Sequence, residues 1–296
     1  MLSPHEAPTR PRVLYSCYTN HGRQGEQFVS EHVFSYQLAG TVVLNDGAQR
    51  YALPEGSFRL LRRNQLLRFQ KQPSAAGDFK SLSVSFDQET LRAFSREYGY
   101  QAAHPLPGAG VLALPSQPLY HSYLASLQPY ERLQHPVKAP LLALKVREAL
   151  LILLQANPEL KDVLFDFSEP GKIDLAAFMQ RNFRFNVALS RFAYLTGRSL
   201  ATFKRDFERL FHLSPSRWLV RRRLQEAHYL LKEQGKAASD VYLAVGFEDL
   251  SHFSFAFKKA MIYECTLVAK IAYTRSFACN VSRTCNLRIL ILLLGT

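Results

Sequence analysis

Basic side chains crowd into one short stretch of this 296-residue chain. Between residues 181 and 223 the sequence contains eleven Lys and Arg residues against only two acids, Asp206 and Glu208. Such groups attract phosphates, and a guanidinium can also form two hydrogen bonds with the edge of guanine in the major groove. The formal net charge of +13 favours nucleic acid or an anionic membrane surface as a partner. The stretch is therefore the first candidate for a binding surface.

A short helical unit occurs twice around this basic stretch. Residues 199–207 and 249–257 each begin with a helix N-cap residue, followed by Leu and then by two Phe four residues apart. A glycine, Gly197 or Gly246, precedes each copy and would allow a tight turn. This pattern is typical of a helix-turn-helix, whose second helix enters the major groove of DNA. Two copies predict contact with two successive groove faces.

One face of the first copy could read bases. If its two Phe side chains point to the core, then at about 100° per residue Ala201 and Arg205 point outward, with Thr202 and Lys204 at the flanks. A small residue permits close approach to a groove, while Arg and Lys reach guanine or phosphate. The alternative is that the two cations only solvate an exposed helix face. The small Ala193, four residues before the turn glycine, favours base reading because the two helices of such a unit cross closely there.

A long helix is predicted between the two copies. Ser214 and Pro215 fit the N-cap and N1 positions, and the helix would run to Leu231. Its roughly 18 residues at about 1.5 Å each span close to 27 Å, near the roughly 34 Å between successive major grooves on one face of the duplex. A basic amphipathic helix can also lie on a membrane, but the repeat favours a spacer that holds two recognition helices.

The first ninety residues predict a small β-barrel or sandwich. The turn signal Asn45-Asp46-Gly47 separates runs of β-forming residues, and strands are expected within 34–44, 49–53, 57–61, 65–70 and 82–86. A helix is predicted from 88 to 98. The residues that follow, 104–118, are rich in Pro and Gly and predict a connecting loop. The apolar residues 140–154 predict a helix that is either buried between neighbours or partly a dimer interface.

Several classes of protein are disfavoured. The N-terminus lacks the basic segment and apolar core of a signal peptide, and the apolar run at 290–294 is far shorter than the roughly 20 residues that span a bilayer. We therefore expect a cytoplasmic protein with no membrane partner. The four cysteines show no CxxC pairing, which disfavours a zinc site or a disulfide framework.

The region from residue 173 to about 260 contains a recognisable set of residues: Ala193, Gly197, Ser199, Phe207, Ser214, Pro215, Arg223, Leu224, Ala227, Leu230, Leu231, Val245, Gly246, Phe247, His252, Phe253, Ser254, Phe257, Lys258 and Lys259. With these residues the region resembles the DNA-binding domain of AraC/XylS-type transcription regulators. The resemblance implies seven helices with two helix-turn-helix units that bind double-stranded promoter DNA and usually activate transcription. By position, the candidate DNA-contacting residues are Arg198, Ser199, Ala201, Thr202, Lys204 and Arg205 in the first unit, and Leu250, Ser251, His252 and Phe255 in the second.

The N-terminal part more weakly resembles the cupin-like regulatory domain of the same family. Residues 141–154 are similar to its dimerising helices, especially in regulators of type III secretion, which can be controlled by protein partners instead of a sugar. The resemblance implies RNA polymerase as a partner, a small-molecule or protein effector, a homodimer and no cofactor. We predict an α+β chain with a cupin-like regulatory and dimerisation domain at 1–168, an all-α DNA-binding domain at 169–262 and a divergent tail at 263–296.

This chain departs from the family pattern in three places. Tyr242 stands where Ala193 stands in the first unit, so the second pair of helices should cross more loosely or pack differently. Phe255 stands where Arg205 stands, and an exposed Phe can touch thymine methyl groups but cannot read guanine. After Lys259 the family's aromatic-Gly turn and Ser/Thr-Pro helix start are missing; a frameshift is one explanation, which reading the encoding DNA in the other frames would test. We expect the first unit to dominate base readout.

Two other functions compete with this interpretation. A cupin-type enzyme would need a cluster of His with a carboxylate, but the β region offers only His21 and His32 and no His-x-His pair. A non-specific nucleic-acid binder would have equal affinity for all sequences. Arg205→Ala should cost about 1 to 3 kcal/mol on a cognate site and relax discrimination at one base pair. Loss of a phosphate contact, such as that expected of Arg198, should weaken binding to all sequences alike.

Overall fold

The computed structural model describes residues 13–19, 23–104, 108–132 and 138–260. The predicted tail at 263–296, with three of the four cysteines, lies outside the described residues, as does His21. Among these residues, those up to Val220 form one compact unit, and those from Arg221 to Ala260 form a second. This division falls inside a long helix, whereas the sequence predicts a domain boundary near residues 168–172; the predicted domain limits stay predictions.

Nine antiparallel strands in the described part of the chain form two sheets. The strands are β1 Val13–Thr19, β2 Arg23–Val29, β3 His32–Ala39, β4 Thr41–Asn45, β5 Arg50–Leu53, β6 Phe58–Leu61, β7 Gln65–Gln72, β8 Asp78–Phe86 and β9 Val111–Leu114. The first sheet has the order β1-β8-β3-β6-β9 and the second the order β2-β7-β4-β5. The predicted strands and the turn at Gly47, which has a φ of +88°, are confirmed.

The prediction of a loop over residues 104–118 is wrong for residues 111–114. Residues Val111–Leu114 form β9, which pairs antiparallel with β6 at the edge of the first sheet. Four residues between glycines and prolines give little local signal for a strand. Pairing with β6, which lies about fifty positions earlier in the sequence, is what makes this segment a strand.

Alternating side chains of the strands build separate layers of apolar packing. On β6, Phe58 packs outward against the N-terminal helices, while Leu61 points into the core between the two sheets. On β7, Leu67 belongs to that inner core, and Leu66 packs on the outer face of the second sheet with the helices that follow residue 174. The second sheet therefore lies directly against the first helices of the C-terminal half.

Four helices in the described residues cover the outer face of the first sheet: α1 Gln88–Tyr98, α2 Pro118–Leu127, α3 Lys138–Ala156 and α4 Lys161–Leu164. On α3, Val146, Leu150 and Leu153 are fully buried in the core of this layer. Leu144 and Leu151 on the same helix are 63% and 40% exposed. Helix α3 is thus buried on one side and exposed on another. The dimer interface on its exposed side stays a prediction.

The C-terminal half is helical throughout its described length. The helices are α5 Leu175–Asn182, α6 Leu189–Leu195, α7 Leu200–Phe211, α8 Pro215–Lys232, α9 Ala238–Ala244, and α10, described over residues 250–260. The predicted pairs are confirmed, since α6 and α7 flank Gly197 and α9 and α10 flank Gly246. The predicted helix between the pairs is confirmed as α8, whose 18 residues correspond to roughly 27 Å.

Candidate nucleic-acid interface

Both second helices begin with the capping interactions that the sequence predicts. In α7 the Oγ of Ser199 accepts a hydrogen bond from the backbone N of Thr202 at 3.2 Å. In α10 the Oδ1 of Asp249 accepts one from the backbone N of His252 at 2.6 Å. These caps satisfy amides that the first turn of a helix leaves without partners, so each helix has a fixed starting point.

The two turns share one backbone geometry despite the Tyr for Ala exchange. The N–H of Arg198 donates to the carbonyl oxygen of Ala193 at 3.0 Å, and the N–H of Phe247 donates to that of Tyr242 at 2.9 Å. Gly197 and Gly246 occupy the left-handed region, with φ of +63° and +99°. This is the hydrogen-bonding pattern of a helix that ends at glycine. The substitution therefore changes side-chain packing, not the turn.

The first helices of the two pairs, α6 and α9, pack differently at the position where each crosses its partner, as the sequence predicts. Ala193 is 1% exposed, which leaves room for a close helix crossing, while Tyr242 at the matching position is half-buried. In the first unit a Cβ on Gly197 would lie 2.3 Å from the carbonyl carbon of Gly171, so the segment before α5 also packs tightly on this turn.

The first reading face has the predicted orientation. Phe203 and Phe207 are fully buried, and the ring of Phe207 meets that of Trp218 edge to face at 5.5 Å. On the opposite side Ala201, Lys204 and Arg205 are exposed, and Thr202 and Ser199 lie at the edge. Packing of α7 on its Phe side fixes the rotation of the helix, and so determines which side chains a groove could meet.

The second reading face is exposed and uncharged. Leu250 and Phe255 are 40% and 68% exposed, and Ser251 and His252 are also exposed. Phe253 and Phe257 are buried, so the register of the two copies matches. Residues 249–257 contain no Lys or Arg. A large exposed aromatic ring on this face offers apolar contact where α7 offers a guanidinium.

Two cations of the basic stretch are engaged inside the protein. The Nε of Arg198 donates to the Oδ2 of Asp206 at 3.1 Å, and its Nη1 donates to the carbonyl oxygen of Thr196 at 2.7 Å. Arg223 is 8% exposed, and its Nη1 donates to the carbonyl oxygen of Gly246 at 2.8 Å. Each guanidinium supports a helix-turn-helix turn, a role that sequence reasoning missed. The phosphate contact of Arg198 stays a prediction, and it would have to use a guanidinium that is already hydrogen-bonded.

The second sheet contacts the loop between α5 and α6, and α6 itself. The Nη2 of Arg68 on β7 donates to the carbonyl oxygen of Arg184 at 2.7 Å. Glu26 on β2 pairs with Arg68 and accepts a hydrogen bond from the backbone N of Asn186. The guanidinium of Arg191 on α6 lies 4.6 Å from the ring centroid of Phe28. This interface is not predictable from the sequence, because its partners lie more than a hundred residues apart.

None of the helices that the structure describes combines the length and the apolar character of a membrane span. The described residues contain no group of three or more His, Cys, Asp or Glu arranged to hold a metal ion. A two-sheet N-terminal layer followed by two helix-turn-helix units defines the class of regulators that couple a cupin-like domain to DNA binding.

Two family models match this chain, one on each half. The ExsA N-terminal regulatory domain matches residues 32–163, and a helix-turn-helix domain matches residues 192–263. The chain belongs to the AraC/XylS family of transcription regulators. The second match ends close to the position where the sequence departs from the family pattern.

Two curated relatives match three quarters of the chain, and a third matches only a shorter part. ExsA of Pseudomonas aeruginosa is 26% identical over 231 residues, covering 75% of this chain and 80% of its own length. The thermoregulatory protein LcrF of Yersinia pestis is 27% identical, covering 75% and 83%. RhaS of Klebsiella pneumoniae is 31% identical over 85 residues, covering 29% of this chain and 31% of RhaS. A solved structure of ToxT from Vibrio cholerae has 13% sequence identity to this chain and a TM-score of 0.40. The match covers 84% of this chain and 94% of the ToxT chain.

Proposed function

We propose that the chain activates transcription from promoters that it recognises mainly through α7. The observation that carries the assignment of the reading face is the opposition of two faces of one helix, with Phe203 and Phe207 fully buried and Ala201, Lys204 and Arg205 exposed. Ala201 would allow the helix to approach base edges, while Arg205 pairs with guanine and Lys204 with guanine or phosphate. Thr202, Ser199 and Arg198 flank this face on the phosphate side.

The second unit would add a weaker contact. Ser251 and His252 can hydrogen-bond to bases or phosphates, and Phe255 and Leu250 can pack on thymine methyl groups. Because this face carries no charge, its contribution should depend little on salt, whereas the cations of α7 should make overall binding strongly salt-dependent. The half-site read by α7 should therefore dominate affinity.

The names of the relatives and the fold support the proposal that the chain is a regulated activator. LcrF is named a thermoregulatory protein, the matching VirF of Yersinia enterocolitica a virulence regulon transcriptional activator, and RhaS a transcriptional activator. By analogy we propose that this chain contacts RNA polymerase at promoters in the cytoplasm and is not an enzyme. Its N-terminal domain would respond to a small-molecule or protein effector and would form a homodimer through the exposed apolar side of α3.

Selection from a random pool of duplexes with the purified full chain tests this proposal. We expect recovery of one sequence family, with one guanine-containing half-site read strongly and a second, one helical turn away, read weakly. The same selection with Arg205→Ala should lose preference at a single base pair, while Phe255→Ala should lose preference only in the second half-site. Recovery of sequences no different from the input pool would instead show a non-specific nucleic-acid binder.

A further inference from the structure

The turn between β4 and β5 packs against the end of α5 and the loop that follows it. A Cβ on Gly47 in this turn would lie 3.2 Å from the Oδ1 of Asn182 and 3.4 Å from the ring of Phe185. It would also lie 3.6 Å from the Cγ of Arg181, which is the cation of the last turn of α5. The hairpin of the second sheet thus lies directly beside the residues that lead into the first helix-turn-helix.

One row of polar residues crosses the outer face of the second sheet. Taken in the order β2, β7, β4 and β5, the residues directly opposite one another are Glu26, Arg68, Asn45 and Arg50. Directly opposite residues share a face, and Leu67, the neighbour of Arg68 on β7, packs in the core between the sheets, so the row points outward. Strands are about 4.8 Å apart, so Arg50 lies about 10 Å from Arg68 along this row. Arg50 ends the row on the edge strand β5 and is exposed.

Cations outnumber carboxylates where the hairpin and the loop meet. The guanidinium groups here are those of Arg50, Arg68, Arg181, Arg184 and Arg191, and the carboxylates are those of Glu26 and Asp46. Glu26 pairs with Arg68, while the Oδ1 of Asp46 accepts hydrogen bonds from backbone N atoms of its own turn. Five positive groups against two negative ones leave an excess of three positive charges. Both carboxylates have partners, and the side chains of Arg50 and Arg181 are exposed to solvent.

This excess of positive charge lies at the beginning of α6. The carbonyl oxygen of Arg184 and the backbone N of Asn186 hydrogen-bond to the second sheet, and α6 begins at Leu189. In a helix-turn-helix the second helix lies in the major groove, while the first helix crosses the DNA backbone. Helix α6 has seven residues and is therefore about 10 Å long. Its beginning is thus no more than about 10 Å along the helix from the backbone that α6 would cross.

We propose that Arg50, together with Arg181 and Arg184, binds phosphates of the duplex that flanks the half-site read by α7. These three residues are called the hairpin surface. Guanidinium groups form charge-assisted hydrogen bonds with phosphate oxygens, and phosphate contacts carry no base sequence. The N-terminal half thereby adds affinity and salt dependence to DNA binding without changing the recognised sequence. This inference rests on the proposed function, which places α7 in the groove.

Duplexes of two lengths test the hairpin surface with the purified full chain. The short duplex holds only the site recovered by selection, and two long duplexes extend it by about ten base pairs, one helical turn, at one end or the other. We expect one long duplex to bind more tightly than the short one at low salt. Its plot of log affinity against log salt should be steeper by about 2 to 3, since each phosphate contact adds about 0.9. Equal affinity and equal slope for all three duplexes would overturn the proposal.

Arg50→Gln assigns the effect to the N-terminal half. It should lower the salt slope on the tighter long duplex by about 0.9, so its loss of affinity should be roughly 3-fold greater at 50 mM than at 200 mM salt. On the short duplex the variant should match the native chain, which also shows that it is folded. Arg96→Gln, at an exposed position on α1, is the matched control and should leave every slope unchanged. A slope on the long duplex that Arg50→Gln leaves unchanged would contradict the proposal.

Failure of the hairpin surface and failure of the reading helix give different results. If Arg205→Ala weakens binding to the short duplex but Arg50→Gln has no effect on the long ones, only the hairpin surface is wrong. If selection recovers no site, an unrelated duplex of the longer length replaces it, and Arg50→Gln should still lower the salt slope, because phosphate contacts do not depend on sequence. Binding to vesicles of phosphatidylserine and phosphatidylcholine that depends on Arg50, with no effect of Arg50→Gln on DNA, would contradict the proposal and assign the surface to a membrane.

Discussion

Arg198 and Asp206 join the turn of the first helix-turn-helix to its recognition helix, with 3.1 Å between Nε and Oδ2. Their side chains are 11% and 17% exposed, so the pair is largely shielded from solvent. The other arm of Arg198 reaches back to the carbonyl oxygen of Ile173 at 3.1 Å. One guanidinium thereby ties together the start of α5, the turn and the middle of α7.

Asp206→Asn should make the stability of the first helix-turn-helix less sensitive to acid. The hydrogen bond from Arg198 holds the pKa of Asp206 below its ordinary value of 3.8. A lowered carboxyl pKa gives stability that is present above the unfolded pKa and is lost as pH falls through the folded pKa. The difference in Tm between the native chain and the variant should therefore be full at pH 6 and shrink below about pH 4. A difference that is independent of pH would contradict this role.

Gly197→Ala should be far more destabilising than Gly235→Ala. Both glycines have positive φ, +63° and +61°, so each substitution costs about 1–2 kcal/mol of backbone strain. Only at Gly197 would the new Cβ clash with backbone, 2.3 Å from the carbonyl carbon of Gly171; nothing lies within 4 Å at Gly235. Denaturant unfolding of both variants measures the steric part as their difference. Equal losses would show that Gly171 moves away freely.

Leu144→Glu with Leu151→Glu should convert a dimer to a monomer. Both side chains are exposed on α3 beside a buried face, and charged groups there would oppose burial of this stripe in an interface. Leu119→Glu on α2, at a site 50% exposed, is the control for loss of an exposed Leu. Sedimentation velocity should show a dimer for the native chain and the control only. A native chain that stays monomeric, or a double variant that stays dimeric, would remove α3 from the interface.

Glu26→Ala should speed hydrogen exchange at the amide of Asn186. That amide donates to Glu26 across the contact between the second sheet and the loop that precedes α6. Glu55→Ala, in an exposed turn, is the matched control and should leave the exchange unchanged. The effect should stay confined to the segment around residues 184–188. Unchanged exchange in Glu26→Ala would mean that this contact does not persist in solution.

The sequence predicted helix limits well because local residues determine them. Ser199 and Asp249 mark the starts of α7 and α10, and Gly197 and Gly246 mark the turns before them. Features that depend on distant pairing were not predictable. Strand β9 becomes a strand only beside β6, and no local pattern reveals that pairing.

The structural roles of Arg198 and Arg223 were hidden for a related reason. A basic stretch shows where cations are concentrated but not which of them point inward. Only the fold places Arg198 beside Asp206 and Arg223 beside the carbonyl oxygen of Gly246. Charge counting therefore indicates a candidate surface but includes side chains that stabilise the protein instead.

Arg205→Ala, measured on a duplex recovered by selection, tests the assignment of α7 as the main reading helix most directly. Affinity for the selected site should fall by about 1–3 kcal/mol, roughly 5- to 150-fold in Kd, and discrimination at one base pair should be lost. Affinity for unrelated duplexes should change much less, and Arg96→Ala, an exposed arginine on α1, should change neither. Unchanged affinity for the selected site, or an equal loss on selected and unrelated duplexes, would contradict this account.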